Sequence, residues 1–299
     1  SQSIVWSMKQ DGDGFLWLGT ENGLNRYDGY SFRTYRPELR NPHSLSHSNI
    51  LCLEIEAEDT LWVGTFHGGL NRMNTRTGRS ERFRHQNGQP LSLPSDVVRC
   101  LLRDHQGTLW VGTDAGLCHL NRRHGTFTPV QLAASDASPA GTQPSILSLT
   151  QDLSGTLWAG TARDGLFWCP GSSGIWKPFP LPRPTPDPIQ DLLEDHLGHL
   201  WVATRGSGLL RVNHSRTRVD RVSADENHQT LSSNTVWRLC EDPQERLWIG
   251  TDRGLDRLDP STGTWSHFIH RADRSTSLGH SIVRAMLVDR SGLLWLGTY

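Results

Sequence analysis

The residues of this chain that could do chemistry are scattered charges and histidines in short loops, not members of a catalytic motif. Neither His-Glu-x-x-His nor Gly-x-Ser-x-Gly occurs, and the sequence has no glycine-rich loop typical of phosphate or dinucleotide binding. The histidine pairs at 196/199 and 267/270 have a three-residue spacing, which places two side chains on opposite faces of a strand. We therefore predict no catalytic residue, no metal site and no cofactor.

A tryptophan motif recurs along the chain and must belong to the elements that position any site. Leu-Trp-x-Gly-Thr or a near copy returns about every 46 residues, a spacing typical of repeat architectures. Its tryptophans are Trp17, Trp62, Trp110, Trp158, Trp201, Trp248 and Trp295. The fold can therefore be predicted from the structure of one such unit.

Each unit has the pattern of four short strands, A to D, joined by tight turns. In the third unit the predicted strands are 98–103, 108–113, 117–120 and 126–130. Strand A opens on Val or Ile in every unit and has Leu or Met three residues later, which breaks strict alternation. Either both faces of strand A are buried or a β-bulge interrupts it.

These units predict an all-β fold, a seven-bladed β-propeller of four-stranded antiparallel blades, as a single domain over residues 1–299. Tryptophan is expected to pack between blades, and the Gly two residues later to allow their close approach. The predicted blades are 3–45, 46–93, 94–141, 142–186, 187–231, 232–278 and 279–299. The last is expected to be truncated after two strands, so that the chain is a fragment or the ring is open with an exposed edge. A β-helix or an open solenoid is the competing architecture.

Composition excludes some partners. The net charge is −1, with 30 basic and 31 acidic residues. This balance gives no electrostatic footprint for nucleic acid or for an anionic membrane, and no apolar run reaches the ~20 residues of a membrane span. The five cysteines include no Cys-x-x-Cys pair and are expected to be small buried side chains, not a disulfide framework.

Function usually lies on variable loops held by a rigid scaffold. We therefore predict the ligand site on the face where the connections between blades and the B–C loops emerge, around the mouth of the central channel. The candidates in B–C loops are His67, Asp114, Arg163, Arg205, Asp252 and Arg253. The candidates at one shared position of strand A, expected to line the upper channel, are Trp6, Arg99, Trp237 and Arg284. For each residue the alternative is a solvated loop charge or a packed blade residue.

The stretch 104–117, Asp-His-Gln-Gly-Thr-Leu-Trp-Val-Gly-Thr-Asp-Ala-Gly-Leu, closely resembles the two-component regulator propeller repeat. The resemblance extends over all seven copies, and 23–32, 44–49 and 230–234 also look like segments of that family. It implies a periplasmic, non-enzymatic sensor region of an inner-membrane bacterial receptor. Implied partners are a ligand, for which an oligosaccharide is one candidate, a second copy of the chain, and downstream domains carrying a histidine kinase or diguanylate cyclase. The family has no shared catalytic residues to add.

Two alternatives stay open. Streptogramin-lyase-like propellers have similar Asp-x-x-Gly-x-Leu-Trp repeats and a histidine-based site near the channel. His67 or His280 beside a carboxylate at the channel mouth would favour such an enzyme. The other alternative is a propeller that only binds another protein.

Overall fold

The computed structural model describes residues 4–57, 59–132, 142–171, 174–182, 187–225 and 229–299. Parts of the connections 131–145 and 223–234, where variable loops are predicted, lie outside the described residues. Within the described residues the chain is all-β, with six four-stranded sheets and one two-stranded sheet. Strands follow one another in chain order within each sheet, and all pairs are antiparallel.

The strands have the following bounds. The first sheet contains β1 (Val5–Gln10), β2 (Leu16–Thr20), β3 (Gly23–Tyr27) and β4 (Phe32–Tyr35), and the second β5 (Ile50–Ala57), β6 (Thr60–Thr65), β7 (Leu70–Asn74) and β8 (Ser80–Phe83). The third contains β9 (Val98–Arg103), β10 (Leu109–Thr113), β11 (Gly116–Asn121) and β12 (Thr126–Val130), and the fourth β13 (Ile146–Gln151), β14 (Leu157–Thr161), β15 (Leu166–Cys169) and β16 (Lys177–Phe179). The fifth contains β17 (Ile189–Glu194), β18 (Leu200–Thr204), β19 (Leu209–Val212) and β20 (Val219–Val222), and the sixth β21 (Val236–Glu241), β22 (Leu247–Thr251), β23 (Leu255–Asp259) and β24 (Thr264–Phe268). The two-stranded sheet contains β25 (Val283–Val288) and β26 (Leu294–Thr298).

The first strand of every sheet lies innermost. These strands are β1, β5, β9, β13, β17, β21 and β25, and each contacts the next, with β25 also contacting β1. The contacts therefore close into a ring around a central channel. The predicted all-β propeller is confirmed for six four-stranded blades, while β25 and β26 form only a two-stranded sheet.

The repeated motif packs neighbouring sheets together, as predicted. Trp17 is fully buried in a cluster with Ile50 and Leu53 of the next sheet, and Trp158 is buried in the same way against Ile189 and Leu192. Six of the seven tryptophans are followed two residues later by a glycine that faces the first residue of the next inner strand, and Ala203 takes this place in the fifth blade. A Cβ built on Gly19 would lie 2.8 Å from Cγ2 of Ile50, and one on Gly297 would lie 2.8 Å from Cβ of Val5. The second contact joins the two-stranded sheet to the first blade.

Each motif tryptophan is also anchored by the acidic residue six positions before it, which lies in the A–B turn or, for Glu56, near the end of β5. The indole Nε1–H of Trp17 donates to Oδ2 of Asp11 at 2.7 Å, while Oδ1 of the same carboxylate accepts the backbone N–H of Phe15 at 2.9 Å. The other six pairs are Trp62–Glu56, Trp110–Asp104, Trp158–Asp152, Trp201–Asp195, Trp248–Asp242 and Trp295–Asp289. The two signature residues of the repeat therefore form one hydrogen-bonded unit.

The five cysteines are free thiols: Cys52, Cys118 and Cys169 are buried, and Cys100 and Cys240 are half-buried. Burial raises the pKa of Cys52 to about 12, so this thiol stays protonated. No helix in the described part of the chain is long and apolar enough to cross a membrane.

Candidate functional site

A β-bulge at the same place in all seven inner strands builds the candidate site. In the first sheet Val5 pairs with Thr20 and Ser7 with Gly19, so that Trp6 is an extra residue without a partner on β2. This explains the apolar spacing of three that breaks alternation in strand A, because a bulge inserts one residue and re-aims its side chain. The seven bulge residues, which we call the mouth ring, are Trp6, Leu51, Arg99, Leu147, Gln190, Trp237 and Arg284.

All seven residues of the mouth ring line one cavity of about 540 Å³ at this end of the channel. The B–C loops add Phe66, Ala162 and Arg205, each of which directly follows the Thr of the repeated motif. The volume lies in the range of small-molecule sites, which is about 300–1,000 Å³. The positions around these residues repeat from blade to blade, whereas the mouth ring contains four different residue types.

One arc of the cavity is apolar. It is formed by the second to fourth sheets and contains Leu51, Phe66, Leu147 and Ala162, together with Arg99. The Arg99 guanidinium is bound by Asp114, with Nε–Oδ1 at 2.7 Å and Nη2–Oδ2 at 2.9 Å, and Ser145 donates to the same carboxylate at 2.9 Å. Burial acts to raise the pKa of Asp114, but the bonds from Arg99 and Ser145 outweigh it and lower the pKa. Asp114 therefore stays ionised and neutralises Arg99.

The other arc, from the fifth sheet to the first, is cationic and aromatic. The guanidinium carbon of Arg284 lies 3.7 Å from the ring centroid of Trp237 and 5.0 Å from that of Trp6, and that of Arg205 lies 5.3 Å from Trp237. Neither Arg205 nor Arg284 forms an ion pair with a described carboxylate. Burial, followed by repulsion from Arg205, lowers the pKa of Arg284. We call Arg205, Trp237, Arg284 and Trp6 the cationic arc.

Arg238 forms part of the cavity floor. It lies one residue after the bulge in β21, and its guanidinium is 3.6 Å from Asp191 of β17. It also donates to the backbone carbonyls of Gln190 at 3.3 Å and Trp6 at 3.4 Å, which links three blades across the channel. Burial raises the pKa of Asp191 even though Arg238 acts to lower it.

The structure brings part of the predicted set together. Lining the cavity are Trp6, Arg99, Arg205, Trp237 and Arg284, and Asp114 contacts it through Arg99. Asp252 lies half-buried in its B–C loop, and its Oδ1 has no hydrogen-bond partner among the described residues. The side chains of His67, Arg163 and Arg253 are exposed and do not line the cavity. His67 packs on Phe66 with ring centroids 4.2 Å apart.

Sequence reasoning missed Arg238, Gln190, Phe66 and the two leucines of the mouth ring. The shared strand position that pointed to Trp6 and Arg99 also contains Gln190 and both leucines, so the register alone could have identified them. No local pattern marks Arg238, because the equivalent residues elsewhere are small or acidic: Ser7, Cys52, Cys100, Ser148, Asp191 and Ala285.

The fold and the mouth cavity define the molecule as a β-propeller with a ring-shaped site. Residues 1–22, 92–115, 230–253 and 277–299 match the family model described as two component regulator propeller, so these four stretches are similar to repeats of that family. The chain is also 46% identical over 46 residues to Histidine kinase P4 of Formosa agariphila, a match that covers 15% of this chain and 3% of that protein.

Solved structures resemble the whole chain. The extracellular domain of BT3049 from B. thetaiotaomicron, described as a hybrid two component system, aligns with a TM-score of 0.81 at 23% identity, over 100% of this chain and 39% of that one. The extracellular domain of BT4673 from the same organism gives 0.79 at 27% identity, over 99% and 37%. Virginiamycin B lyase from Staphylococcus aureus gives 0.73 at 12% identity, over 99% and 92%, a likeness of fold alone. The chain thus spans well under half the length of the two extracellular domains.

Proposed function

We propose that this chain is the extracytoplasmic sensor region of a bacterial signalling receptor and binds a small ligand in the mouth cavity without transforming it. The observation that carries the proposal is the mouth ring, because seven bulges deliver varied side chains to a single cavity on an otherwise repetitive scaffold. The matches to the family model and the likeness to the extracellular domain of a hybrid two component system support it.

We extend this proposal to the location of the region, its downstream domains, its ligand and its assembly. We place the region in the periplasm, as part of an inner-membrane receptor whose downstream domains hold a histidine kinase or diguanylate cyclase. An oligosaccharide is one candidate ligand, and a homodimer is the candidate assembly. A ligand in the cavity would contact all seven inner strands at once. Binding would therefore change how these strands pack against one another, and this change would pass the signal to the next domain.

We also propose that β25 and β26 are the inner half of a seventh blade. β25 lies in the ring between β21 and β1, and it contains the same bulge as the other inner strands. Gly297 meets Val5 just as Gly19 meets Ile50. These are the contacts of strands A and B in the other blades.

A variant that blocks the cavity tests the sensor proposal. The 299-residue chain is screened by thermal shift against panels of neutral and acidic saccharides and small organic acids. A ligand at 100 times its Kd stabilises the folded state by about 2.7 kcal/mol. Leu147→Trp fills the apolar arc and is expected to abolish the shift, whereas Leu153→Trp, on an exposed leucine of an A–B turn, is expected to keep it. A ligand whose shift survives Leu147→Trp binds elsewhere and contradicts the proposal.

An enzyme is the second candidate, and one local observation favours it. His67 lies on Phe66 at the cavity rim, and its charge contributes to the lowered pKa of Asp114. Incubation of the chain with its ligand, followed by mass spectrometry, separates the two candidates. We expect the ligand to be recovered unchanged, whereas its consumption by wild type and not by His67→Ala would establish an enzyme.

A further inference from the structure

We infer that the mouth cavity selects a small organic anion that carries an apolar ring, with the negative group against Arg205 and Arg284 and the ring toward the apolar arc. This inference rests on the proposed function, since it names the ligand class of the same cavity.

The charges of the cavity are unbalanced. Four guanidinium groups line it, and among the described residues only those of Arg99 and Arg238 lie within 4.0 Å of a carboxylate, that of Asp114 and that of Asp191. Glu21 of the first blade and Asp252 of the sixth occupy the loop position equivalent to Arg205, but neither lines the cavity. Arg205 and Arg284 therefore give the cationic arc two positive charges that form no ion pair with a described residue, although Glu21 and Tyr299 attract Arg284 from a longer distance. An anion would relieve the repulsion between these two charges.

The buried atoms of the cationic arc that lack partners are donors, whereas the unpartnered acceptor Oδ1 of Asp252 belongs to a residue that does not line the cavity. Nε1 of Trp6, Nε1 of Trp237 and Nε of Arg284 are buried and have no hydrogen-bond partner among the described residues. Indole and guanidinium nitrogens can donate but not accept. A buried donor without a partner is costly, so the arc gains most from a ligand rich in acceptors, such as a carboxylate, sulfonate or phosphate.

Cation–π contacts prepare the guanidinium groups for an anion. Arg284 lies over Trp237 at 3.7 Å and Arg205 lies near the same ring at 5.3 Å. A guanidinium held against an aromatic ring is already restrained, but its N–H groups can still form charge-assisted hydrogen bonds. The side chain therefore loses less conformational entropy when an anion binds. The indoles thus replace a carboxylate as the support of each arginine.

The apolar arc, opposite the cationic arc, favours a ligand whose negative group is attached to an apolar ring. Leu51, Phe66, Leu147 and Ala162 offer no side-chain hydrogen bond, and Asp114 already neutralises Arg99. The polar residues here are Ser145, which donates to Asp114, and Asn49, whose buried Oδ1 has no partner among the described residues. Burying an apolar ring here is favourable, whereas burying hydroxyl groups without partners is costly. An amphipathic anion fits both arcs, and a neutral polyhydroxylated ligand fits neither as well.

A pair of fluorescent probes tests the inference. 8-Anilinonaphthalene-1-sulfonate is an aromatic anion, and N-phenyl-1-naphthylamine is the same ring system without the sulfonate. Binding of each to the folded 299-residue chain is measured by fluorescence titration, with wild type compared with Arg205→Gln and Arg253→Gln. Both arginines are exposed B–C loop residues, but only Arg205 lines the cavity. We expect Arg205→Gln to raise the Kd of the anion about tenfold and to leave the neutral probe within about twofold, because a charge-assisted bond is worth at least 1.4 kcal/mol.

Arg253→Gln is expected to change neither affinity, and Leu147→Trp to abolish binding of the anion. If Leu147→Trp blocks both probes but Arg205→Gln affects neither, the cavity is a binding site and the anion inference is wrong. If Leu147→Trp leaves both probes bound, or no probe binds at all, the inference fails together with the assignment of the site. Near-ultraviolet circular dichroism confirms that each variant is folded, since the anionic probe also binds partly unfolded chains.

Discussion

At the scale of single residues, the acidic residue and the tryptophan of each repeat act as one unit. A buried indole must place its N–H on an acceptor, and a buried carboxylate needs donors on both oxygens. In the fourth blade Asp152 meets both needs. Burial acts to raise its pKa, but hydrogen bonds from Ser154, Trp158 and the Thr156 backbone outweigh it and lower the pKa. The turn therefore stabilises the packing between blades as well as its own backbone.

Asp11→Asn tests this unit. The amide retains the shape of the carboxylate but places an NH₂ group where Oδ2 accepts the indole of Trp17 at 2.7 Å. We expect a loss of about 1–3 kcal/mol in the free energy of unfolding, measured by urea denaturation. Asp13→Asn, in the same turn but exposed, is the control and is expected to stay within about 0.5 kcal/mol. Equal effects of both substitutions would show that net charge, not the indole bond, matters.

His196 gives one interface between blades a dependence on pH. Its Nδ1 lies 2.6 Å from Oε1 of Glu241 in the next blade, and Glu245 lies 3.4 Å from the other ring nitrogen. The hydrogen bond with Glu241 raises the pKa of His196 above its ordinary value of about 6.5. The His196–Glu241 pair therefore contributes its full stabilisation of the folded state below about pH 6.5, and this stabilisation is lost as the pH rises through the pKa of His196 in the folded state.

The pH dependence is measured as the difference in Tm between wild type and His196→Gln. We expect the largest difference near about pH 6 and a value near zero at about pH 9, where the imidazole is neutral in both states. His105 occupies the same turn position in the third blade, where Gln151 replaces the carboxylate partner. His105→Gln is thus the control, and a difference that is flat with pH for both variants would contradict the role of the His196–Glu241 pair.

At the scale of strands and blades, the motif glycine sets how closely two blades approach. A Cβ on Gly160 would collide with Cγ2 of Ile189 in the next blade and with Oγ of Ser148. Overpacking of this kind costs about 1–3 kcal/mol, so Gly160→Ala should lower the free energy of unfolding by that amount in chemical denaturation. Gly279→Ala, where a Cβ meets nothing within 4 Å, should be neutral. If Gly160→Ala left the free energy of unfolding unchanged, the two blades could move apart without loss of stability.

The strands and their pairing were accessible from the sequence because the period, the turn residues and the motif repeat seven times. The bulge appeared there only as one of two explanations for the spacing between Val5 and Met8, since a local pattern cannot show which residue lacks a partner. The residues that line the cavity are harder to predict from the sequence than the strands. Arg205 faces the cavity while Arg163 and Arg253, each one residue further into its loop, do not. That difference depends on loop geometry, and the convergence of Arg284, Trp237 and Trp6 requires the closed ring.

At the scale of the whole molecule, ring closure depends on a sheet with only two strands. β25 contacts β21 and β1, and the backbone N–H of Arg290 donates to Gln10 at 2.9 Å, so the ring is closed on its inner side. On its outer side β26 pairs with no strand other than β25 in the described part of the chain. Such an edge presents unpaired backbone groups and is a template for association with another chain.

The chain has an internal control for this edge, because β2 and β26 have the same sequence, Leu-Trp-Leu-Gly-Thr. β2 pairs on both sides, with β1 and β3, whereas β26 pairs on one side. Differences in amide exchange between 16–20 and 294–298 therefore report structure and not local sequence. At low protein concentration we expect the least protected amides of β26 to exchange at least about a hundredfold faster than their counterparts in β2, a difference of about 2.7 kcal/mol in opening free energy.

Hydrogen–deuterium exchange read by NMR at two protein concentrations makes this measurement. Equal protection of the two copies at low concentration would contradict an open edge. Protection of 294–298 that rises with concentration, while that of 16–20 stays constant, would show that β26 pairs with a second copy, since only an intermolecular strand supplies new partners in that way.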